Sequence, residues 1–265
     1  MTKALMDCRV LVARPDIGGE DLCKAIAAED GFAVHFPSIA FAPPADEAQF
    51  LQMVQAMGDQ AWIIFNSPQS VRATIPAMRK AWPYFPETTR FAAVGAGTAR
   101  TLKEAGYIVN VIPEREWSSE GLMAMPEFQD VAGQKVMVVR GEGGREYLER
   151  VLNERQAVVS SCLAYQRVVP EVADNICASV LQDNKINAIA AGSFATVNNL
   201  KLLLGQHDWP HLSTIPILVM SERVKKLAAE LGFQTIWVTE QASNDAAIAT
   251  LKQKKEEICR TSKNK

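Results

Sequence analysis

The 265-residue sequence predicts an α/β protein of two similar lobes, each with a parallel sheet flanked by helices. Short apolar runs alternate along the chain with segments whose apolar residues recur every three or four positions. The strand candidates are apolar throughout, as expected of parallel strands that are covered on both faces. An internal repeat, described below, predicts the two lobes.

The elements follow one another in a regular order. Strands are predicted at 9–13, 33–36, 62–66, 90–94, 108–112, 135–139, 158–164, 188–191, 215–220 and 235–238. Helical spacing is clearest at 21–28, 98–105, 145–155 and 222–231. Gly106 and Gly232 directly follow two of these helices, where glycine commonly ends a helix in the left-handed conformation. The tail, 252–265, is predicted to be a fraying last helix followed by a disordered end.

A constant offset of 126 positions relates the two halves of the chain. Arg14 and Arg140 both end a strand candidate, and Ser67 and Ser193 both precede a helix. We predict that one unit has been duplicated. The alternative is that two α/β halves share only a similar periodicity of apolar residues. The other matched pairs are Leu22 with Leu148, Val71 with Val197, Gly95 with Ser221 and Gly106 with Gly232.

Two extended, proline-ended segments are also equivalent in the repeat, at 36–44 and 162–170. They are predicted to be crossing connections between the lobes. The repeat alone leaves open whether each lobe is one contiguous unit or combines pieces of both.

Composition excludes several classes of function. A net charge of −2 and a pI near 6.0 give no support to a nucleic-acid or anionic-membrane surface. The apolar runs are too short to span a bilayer, and the first residues show no secretory signal. Five cysteines without a C-x-x-C pair do not form a thiolate zinc site or a disulfide scaffold, so a reducing cytoplasm is predicted.

Six strand-to-helix junctions combine small residues with a helix start. In parallel sheets ligands bind beyond the carboxyl ends of the strands, where exposed N–H groups and the positive helix end favour anions. The alternative is that serine, threonine and glycine are simply preferred helix caps and turn residues. The junctions begin at Arg14, Asn66, Gly95, Arg140, Gly192 and Ser221.

More specific catalytic and cofactor-binding motifs are incomplete or absent in the sequence. Gly95 and Gly97 begin a dinucleotide fingerprint, but Arg100 replaces its third glycine, and neither a P-loop nor G-x-S-x-G occurs. The spacing of His207 and His211 resembles a metal pair, yet the intervening Pro210 favours a surface loop. His35 is predicted to be a packing residue. Chemistry is therefore predicted to depend on orientation rather than on a metal or a general base.

Tyr165 lies in the second predicted connection. A phenol near a leaving group can donate a proton or a hydrogen bond. The alternative is a tyrosine that packs on the hinge with its hydroxyl in water.

Seven sequence features are informative through their order and spacing along the chain. They are VLVARP at 10–15, WIIFNSPQSV at 62–71, AVGAGTA at 93–99, RGEGGRE at 140–146, Tyr165 with Arg167 and Pro170, Ser193 with Val197 and Asn199, and Ser221-Glu222-Arg223 before Gly232. Together they resemble the uroporphyrinogen-III synthase family over essentially the whole ordered length.

The resemblance implies a cofactor-independent hydro-lyase of haem and tetrapyrrole synthesis. Such an enzyme cyclises hydroxymethylbilane to uroporphyrinogen III with inversion of ring D and loss of water, through an azafulvene and a spiro intermediate. Unaided closure gives the uninverted isomer, so positioning is the larger part of catalysis. The substrate is a small molecule bearing many carboxylates, and neither nucleic acid, metal nor membrane is implied.

The resemblance also implies an architecture: two flavodoxin-like lobes joined by a two-stranded linker. One lobe would comprise 1–37 and 169–265 and the other 44–163, with linkers at 38–43 and 164–168. A monomer is implied, with a transient contact to the enzyme that supplies hydroxymethylbilane as a further option.

Site residues are carried over by position. Tyr165 becomes the candidate donor to the leaving group. Asn66 and Gly192 depart from the family's frequent threonine, and Val224 repeats the position of Thr98 without a hydroxyl. The expected substrate-binding residues are Arg14, Ser67, Pro68, Gln69, Gly95, Thr98, Arg140, Ser193, Ser221 and Arg223. For Arg140 the alternative is a structural role.

Two rival interpretations remain at this point. A two-lobed, non-catalytic module that binds a small molecule or effector would show the same alternation of strands and helices. A nucleotide-dependent enzyme would use the loop from Gly95 to Thr98.

Overall fold

The computed structural model of the chain describes residues 4–114, 116–171, 180–181 and 185–263. Ten strands are described: β1 (Arg9–Val12), β2 (Phe32–His35), β3 (Ala40–Ala42), β4 (Trp62–Phe65), β5 (Arg90–Ala93), β6 (Lys135–Gly141), β7 (Val158–Val168), β8 (Ala188–Ala191), β9 (Ile217–Val219) and β10 (Ile236–Val238).

The described helices lie between and after these strands. They are α1 (Asp16–Ala28), α2 (Glu47–Gln55), α3 (Pro68–Ala81), α4 (Ala96–Glu104), α5 (Ser119–Ala124), α6 (Tyr147–Glu154), α7 (Phe194–Leu212), α8 (Glu222–Glu230), α9 (Asn244–Gln253) and α10 (Lys255–Lys263). Short 3₁₀ turns occupy Ala56–Asp59 and Pro126–Phe128.

The chain divides into two compact units. Unit 1 comprises Met1–Ala40 and Val168–Lys265, and unit 2 comprises Phe41–Arg167. The sheet of unit 1 has the order β10-β9-β8-β1-β2, with all neighbours parallel. That of unit 2 has the order β3-β7-β6-β4-β5, with β7, β6, β4 and β5 parallel. The predicted α/β class with two mostly parallel sheets is confirmed, and each sheet combines strands from both halves of the chain.

The cores explain the apolar strands. In unit 2, β4 is buried along its whole length, with Ile63 and Phe65 in one cluster and Trp62 and Ile64 in another. Central parallel strands covered on both faces need apolar residues at every position. Helices α4 and α8 end as expected, because Gly106 and Gly232 adopt φ of 87° and 101°.

The strand predicted at 108–112 is wrong. Val111 forms only an isolated bridge with Ala92, and Ile108 is 79% exposed. The Asn110 side chain accepts the hydrogen bond of the Phe91 N–H at 2.8 Å, in place of a backbone carbonyl. A side chain that takes over a ladder bond ends regular pairing there.

The loop predicted around Pro210 is also wrong, because α7 runs through it to Leu212. Proline lacks the N–H that an interior helical residue donates, so tertiary contacts must hold this last turn. Trp209 donates to the Leu231 carbonyl at 2.9 Å and packs edge-on against Phe233, while Leu212 is fully buried.

The helix predicted in the tail is present. Helix α10 continues to Lys263, and its Ile258 is fully buried in the core of unit 1. Glu257 accepts a hydrogen bond from the Trp237 indole at 3.3 Å. The last two positions, 264 and 265, lie outside the described residues. Within the described chain, no helix combines the length and apolarity needed to cross a bilayer.

Burial of the Cys162 thiol predicts a loss of stability at alkaline pH. Desolvation raises its pKa to about 12, above its ordinary value of 9.0. The folded state therefore holds this proton more tightly than the unfolded state, and the associated stability is lost as pH rises above 9. Between pH 7.5 and about pH 10.5, urea titrations should show that wild type loses about 2 kcal/mol more free energy of unfolding than Cys162→Ala. Parallel losses in both proteins would contradict the assignment.

Candidate active site

The two sheets have corresponding topological switch points. In unit 2 the chain leaves β4 toward β5 on one side, while β6 lies on the other side. In unit 1, β1 stands in the same way between β2 and β8. Ligands of open parallel sheets bind beyond the carboxyl ends of the strands at such points. The loops that follow β4, β6, β1 and β8 are therefore the candidate ligand-binding loops.

Ser67 shapes the loop after β4. Its Oγ accepts the Ser70 N–H at 3.1 Å, and Ser70 Oγ accepts the Ser67 N–H at 3.3 Å, which together form a capping box for α3. Pro68, the first helical residue, has no N–H to satisfy. The Gln69 N–H is left without an intrahelical partner and is available to an anion at the helix start.

Tyr165 reaches this loop from the interior of unit 2. Its side chain is only 2% exposed, belongs to the core cluster, and meets Phe41 edge-on at 5.3 Å. Its hydroxyl lies 3.2 Å from Ser67 Oγ and accepts a hydrogen bond from Arg167 at 3.1 Å. The structure thus joins Tyr165 to Ser67, and the phenol occupies neither a solvent-facing hinge nor an isolated packing position.

Gly141 at the end of β6 makes room for the Tyr165 ring. A Cβ at this position would lie 2.5 Å from the ring, closer than side-chain atoms can approach. We predict that Gly141→Ala lowers the free energy of unfolding by about 1–3 kcal/mol through overpacking and reduces turnover by displacing the phenol. Thermal melting and a turnover assay check this.

The matched control is Gly144→Ala in the same loop. A Cβ there would find its nearest neighbours at 3.8 Å or beyond, and this glycine does not need a left-handed backbone. We expect its stability and turnover to match wild type. Equal behaviour of the two variants would contradict the steric role of Gly141.

The loop after β5 carries Gly95, the N-cap of α4. Thr98 is only 3% exposed, and its repeat equivalent Val224 is buried in the same way, so burial rather than the hydroxyl is common to the pair. Trp117, which is not among the predicted site residues, also lies at this loop. Its Cβ lies 3.6 Å from where a Gly95 Cβ would be, and its side chain is 64% exposed. The available signal was a large aromatic residue within a polar loop.

Arg140 is buried in an ion-pair network. Its Nε donates to Glu149 Oε1 at 2.5 Å, its Nη2 donates to Glu146 at 2.9 Å, and the residue is 6% exposed. Ser161 also donates to Glu149 Oε1, at 3.0 Å. Arg140 therefore pairs with two carboxylates of its own unit and is buried with them.

Arg14 in unit 1 has a different environment. Its Nη1 donates to the neutral side chain of Asn244 at 2.5 Å, and burial lowers the pKa of the guanidinium. No carboxylate among the described side chains pairs with it. The side chain passes over Gly192 at the end of β8, where a Cβ would lie 3.2 Å from Nε. A desolvated cation that pairs with no carboxylate in the described part of the chain, at a switch point, is suited to an anionic ligand.

The other predicted residues of unit 1 are caps or surface positions. Ser193 and Ser221 are the N-caps of α7 and α8, and they accept the N–H groups of Thr196 and Val224. Arg223 is exposed in the first turn of α8. His35 lies against Gly19, with Nε2 2.9 Å from the Arg14 carbonyl, so it supports the loop that carries Arg14.

A separate cavity of about 160 Å³ lies in unit 2. It is lined by Pro44, Ala45, Asp46, Gln49, Phe50, Met53, Glu142, Ser161 and Leu163, none of which was predicted as a site residue. Among the residues described, no group of histidine, cysteine and acidic side chains could hold a metal ion.

Comparisons with known proteins agree with one another. Residues 9–249 match the family model described as uroporphyrinogen-III synthase HemD. The uroporphyrinogen-III synthase of Escherichia coli strain K12 is 31% identical, with coverage of 91% of this chain and 99% of that protein. The Salmonella typhimurium protein of the same name is 30% identical, with the same coverages.

Solved structures support the fold. The uroporphyrinogen-III synthetase of Helicobacter pylori superposes with a TM-score of 0.59 at 11% identity, covering 92% of this chain and 97% of that one. A mutant uroporphyrinogen III synthase of Thermus thermophilus gives 0.54 at 17% identity, covering 94% and 99%.

Proposed function

The chain belongs to the uroporphyrinogen-III synthase family of enzymes, and we propose that it cyclises hydroxymethylbilane to uroporphyrinogen III, with inversion of ring D and loss of water. The observation that carries the proposal is the family match over residues 9–249, which includes every predicted site residue. Groups suited to anions, which follow the carboxyl ends of strands in both sheets, support it.

The substrate explains the kind of groups found there. Its acetate and propionate side chains are anions, and its pyrrole rings are flat and largely apolar. Arg14 and the Gln69 N–H at the start of α3 suit the carboxylates. Trp117, an exposed aromatic residue whose Cβ lies near Gly95, suits a pyrrole face.

The catalytic task is one of geometry. Hydroxymethylbilane closes without an enzyme to the uninverted isomer, so the protein must hold the chain ends in the arrangement that leads to the other product. Hydrogen-bond donors at fixed positions meet this need. The Ser67–Tyr165 pair supplies such a donor in unit 2, where it can assist departure of the terminal hydroxyl.

We propose differentiated roles for the carried-over residues. Arg14, Ser67, Pro68, Gln69 and Gly95 form the substrate-binding loops, together with Ser193, Ser221 and Arg223. Arg140 and Thr98 are assigned to the scaffold because they are buried, with Arg140 neutralised by two carboxylates. Gly192 replaces the family's frequent threonine and leaves room for the Arg14 side chain.

The proposal extends to the setting of the enzyme. We propose a cytoplasmic monomer, with a transient contact to the enzyme that makes hydroxymethylbilane. The free thiols of Cys8, Cys23, Cys162 and Cys259 are compatible with a reducing compartment. Size-exclusion chromatography with light scattering tests the monomer.

The proposed activity is tested by incubating the purified protein with enzymatically generated hydroxymethylbilane, oxidising the products and separating the isomers. Isomer III is expected in excess over the protein-free control. Isomer I alone would reject the activity and would favour a non-catalytic binding module.

A further inference from the structure

The hydroxyl of Tyr165 is part of a chain of three polar side chains. Arg167 Nη2 donates to the phenol oxygen at 3.1 Å, and the guanidinium carbon lies 5.4 Å from the ring centroid. The phenol oxygen is in turn 3.2 Å from Ser67 Oγ. Guanidinium can only donate, so the direction of the first hydrogen bond is fixed.

The direction of the second hydrogen bond follows from burial. If Ser67 donated to Tyr165, the phenol hydrogen would need another acceptor, and the described residues provide none around this 2% exposed side chain. An unpaired buried hydroxyl is costly. The favoured arrangement therefore has Arg167 donating to Tyr165 and Tyr165 donating to Ser67.

Ser67 is then the last member of this series of hydrogen-bonded side chains. Its Oγ accepts from both Ser70 N–H and Tyr165, and no third partner for this oxygen is found within the described part of the chain. Its own hydrogen is consequently free to point away from both donors, at the carboxyl edge of the sheet where the residue is half-buried. Ser67 thus offers an oriented O–H to a ligand.

We propose that Ser67 is the catalytic donor to the leaving hydroxyl of the substrate, and that Tyr165 and Arg167 are positioning residues that act through it. This inference rests on the proposed function and assigns its donor. It gives Arg167 a role in the reaction, and it explains how a tyrosine within the core can influence a substrate that it does not touch.

The atoms and charges of the reaction step balance when the proton is transferred through these hydrogen-bonded side chains. The C–O bond of the terminal hydroxymethyl group breaks, and its electron pair leaves with the oxygen, which takes the Ser67 hydrogen and departs as water. The lone pair of the adjacent pyrrole nitrogen fills the vacancy and gives an azafulvenium cation. The Tyr165 hydrogen replaces the one on Ser67, and Arg167 compensates the phenolate. The proton that the rearranged ring later loses from carbon returns through Ser67 to Tyr165.

Variants along the chain test the proposal by steady-state formation of isomer III. We expect Ser67→Ala to lower kcat about a hundredfold with little change in KM, while Ser67→Thr retains most activity. Tyr165→Phe and Arg167→Met should each lower kcat about tenfold, Arg167→Lys should recover part of the loss, and the Tyr165→Phe/Arg167→Met double variant should be no slower than Tyr165→Phe.

Two controls separate this role from a structural one. Asp46→Ala removes the N-cap of α2 in the same unit, so it matches the lost cap of Ser67→Ala and should leave kcat unchanged. Arg100→Met removes an exposed arginine from α4 and should also be silent. Thermal melting of every variant identifies losses that are due to unfolding.

The outcomes are distinguishable. A folded Ser67→Ala enzyme with wild-type kcat, or additive losses in the double variant, would contradict the proposed roles of Ser67, Tyr165 and Arg167. Either result would leave the proposed function intact. Formation of isomer I alone by the wild-type protein would overturn both.

Discussion

Replacement of Arg140 by methionine is expected to lower the free energy of unfolding by about 3–5 kcal/mol. The substitution removes the guanidinium between Glu146 and Glu149. Glu149 is 9% exposed and its Oε2 already has no partner among the described atoms, so its charge would be left buried and uncompensated. Urea unfolding of both proteins measures the difference.

Two companion variants make this prediction specific. Arg150→Met breaks the exposed pair with Glu154 on the same helix, α6, and should cost at most about 1 kcal/mol. Adding Glu149→Gln to Arg140→Met should recover part of the lost stability, because it removes the unpaired charge. A loss no larger than that of Arg150→Met would contradict the scaffold role of Arg140.

Replacement of Arg14 by methionine should impair substrate binding and not stability, in contrast to replacement of Arg140. We expect KM for hydroxymethylbilane to rise about tenfold or more, because a buried charged hydrogen bond to a carboxylate of the substrate is lost. Stability should be unchanged or slightly higher, since a desolvated cation without a carboxylate partner among the described side chains is removed. Steady-state kinetics and thermal melting together test both parts.

Lys24→Met is the matched control for Arg14→Met. Lys24 is an exposed cation on α1 whose ammonium lies 3.8 Å from Asp21. Its loss changes net charge equally and should leave KM unchanged. Asn244→Ala, which removes the side chain that holds Arg14, should raise KM by a smaller factor than Arg14→Met. A pronounced loss of stability in Arg14→Met without a change in KM would reject the binding role.

The two arginines show what the repeat could and could not predict. Both end a strand candidate at equivalent positions of the repeat, so both were expected to bind the substrate, with a structural role left open for Arg140. The difference lies in Glu149, whose repeat equivalent is Cys23, so no carboxylate occupies this position of unit 1. The signal was present in the sequence, but only the fold shows that residues nine positions apart meet across the start of a helix.

The fold itself was largely predictable because burial on both faces imposes apolar residues on each central strand. The N-cap serines and the glycines after α4 and α8 were equally predictable from the sequence, since their backbone requirements are local. The failures at 108–112 and at Pro210 arose where one side chain overrode the local pattern: the Asn110 amide and the anchored Trp209.

The candidate site was only partly predictable. Ser67 and Tyr165 were both identified, but their hydrogen bond joins positions 98 residues apart, and nothing local predicts it. The need for glycine at 141 arises from the same tyrosine ring. Trp117 has no repeat partner and no periodic context, so its place beside Gly95 became visible only in the structure.

The most direct test of the account is the isomer ratio of uroporphyrinogen formed in a single turnover, with protein in excess over hydroxymethylbilane. Wild-type protein should give almost entirely isomer III, because every substrate molecule is held before it can close unaided. Folded Ser67→Ala and Arg14→Met proteins should shift the product toward isomer I. An isomer ratio that stays the same across all three proteins would contradict the claim that these strand-edge groups direct the closure.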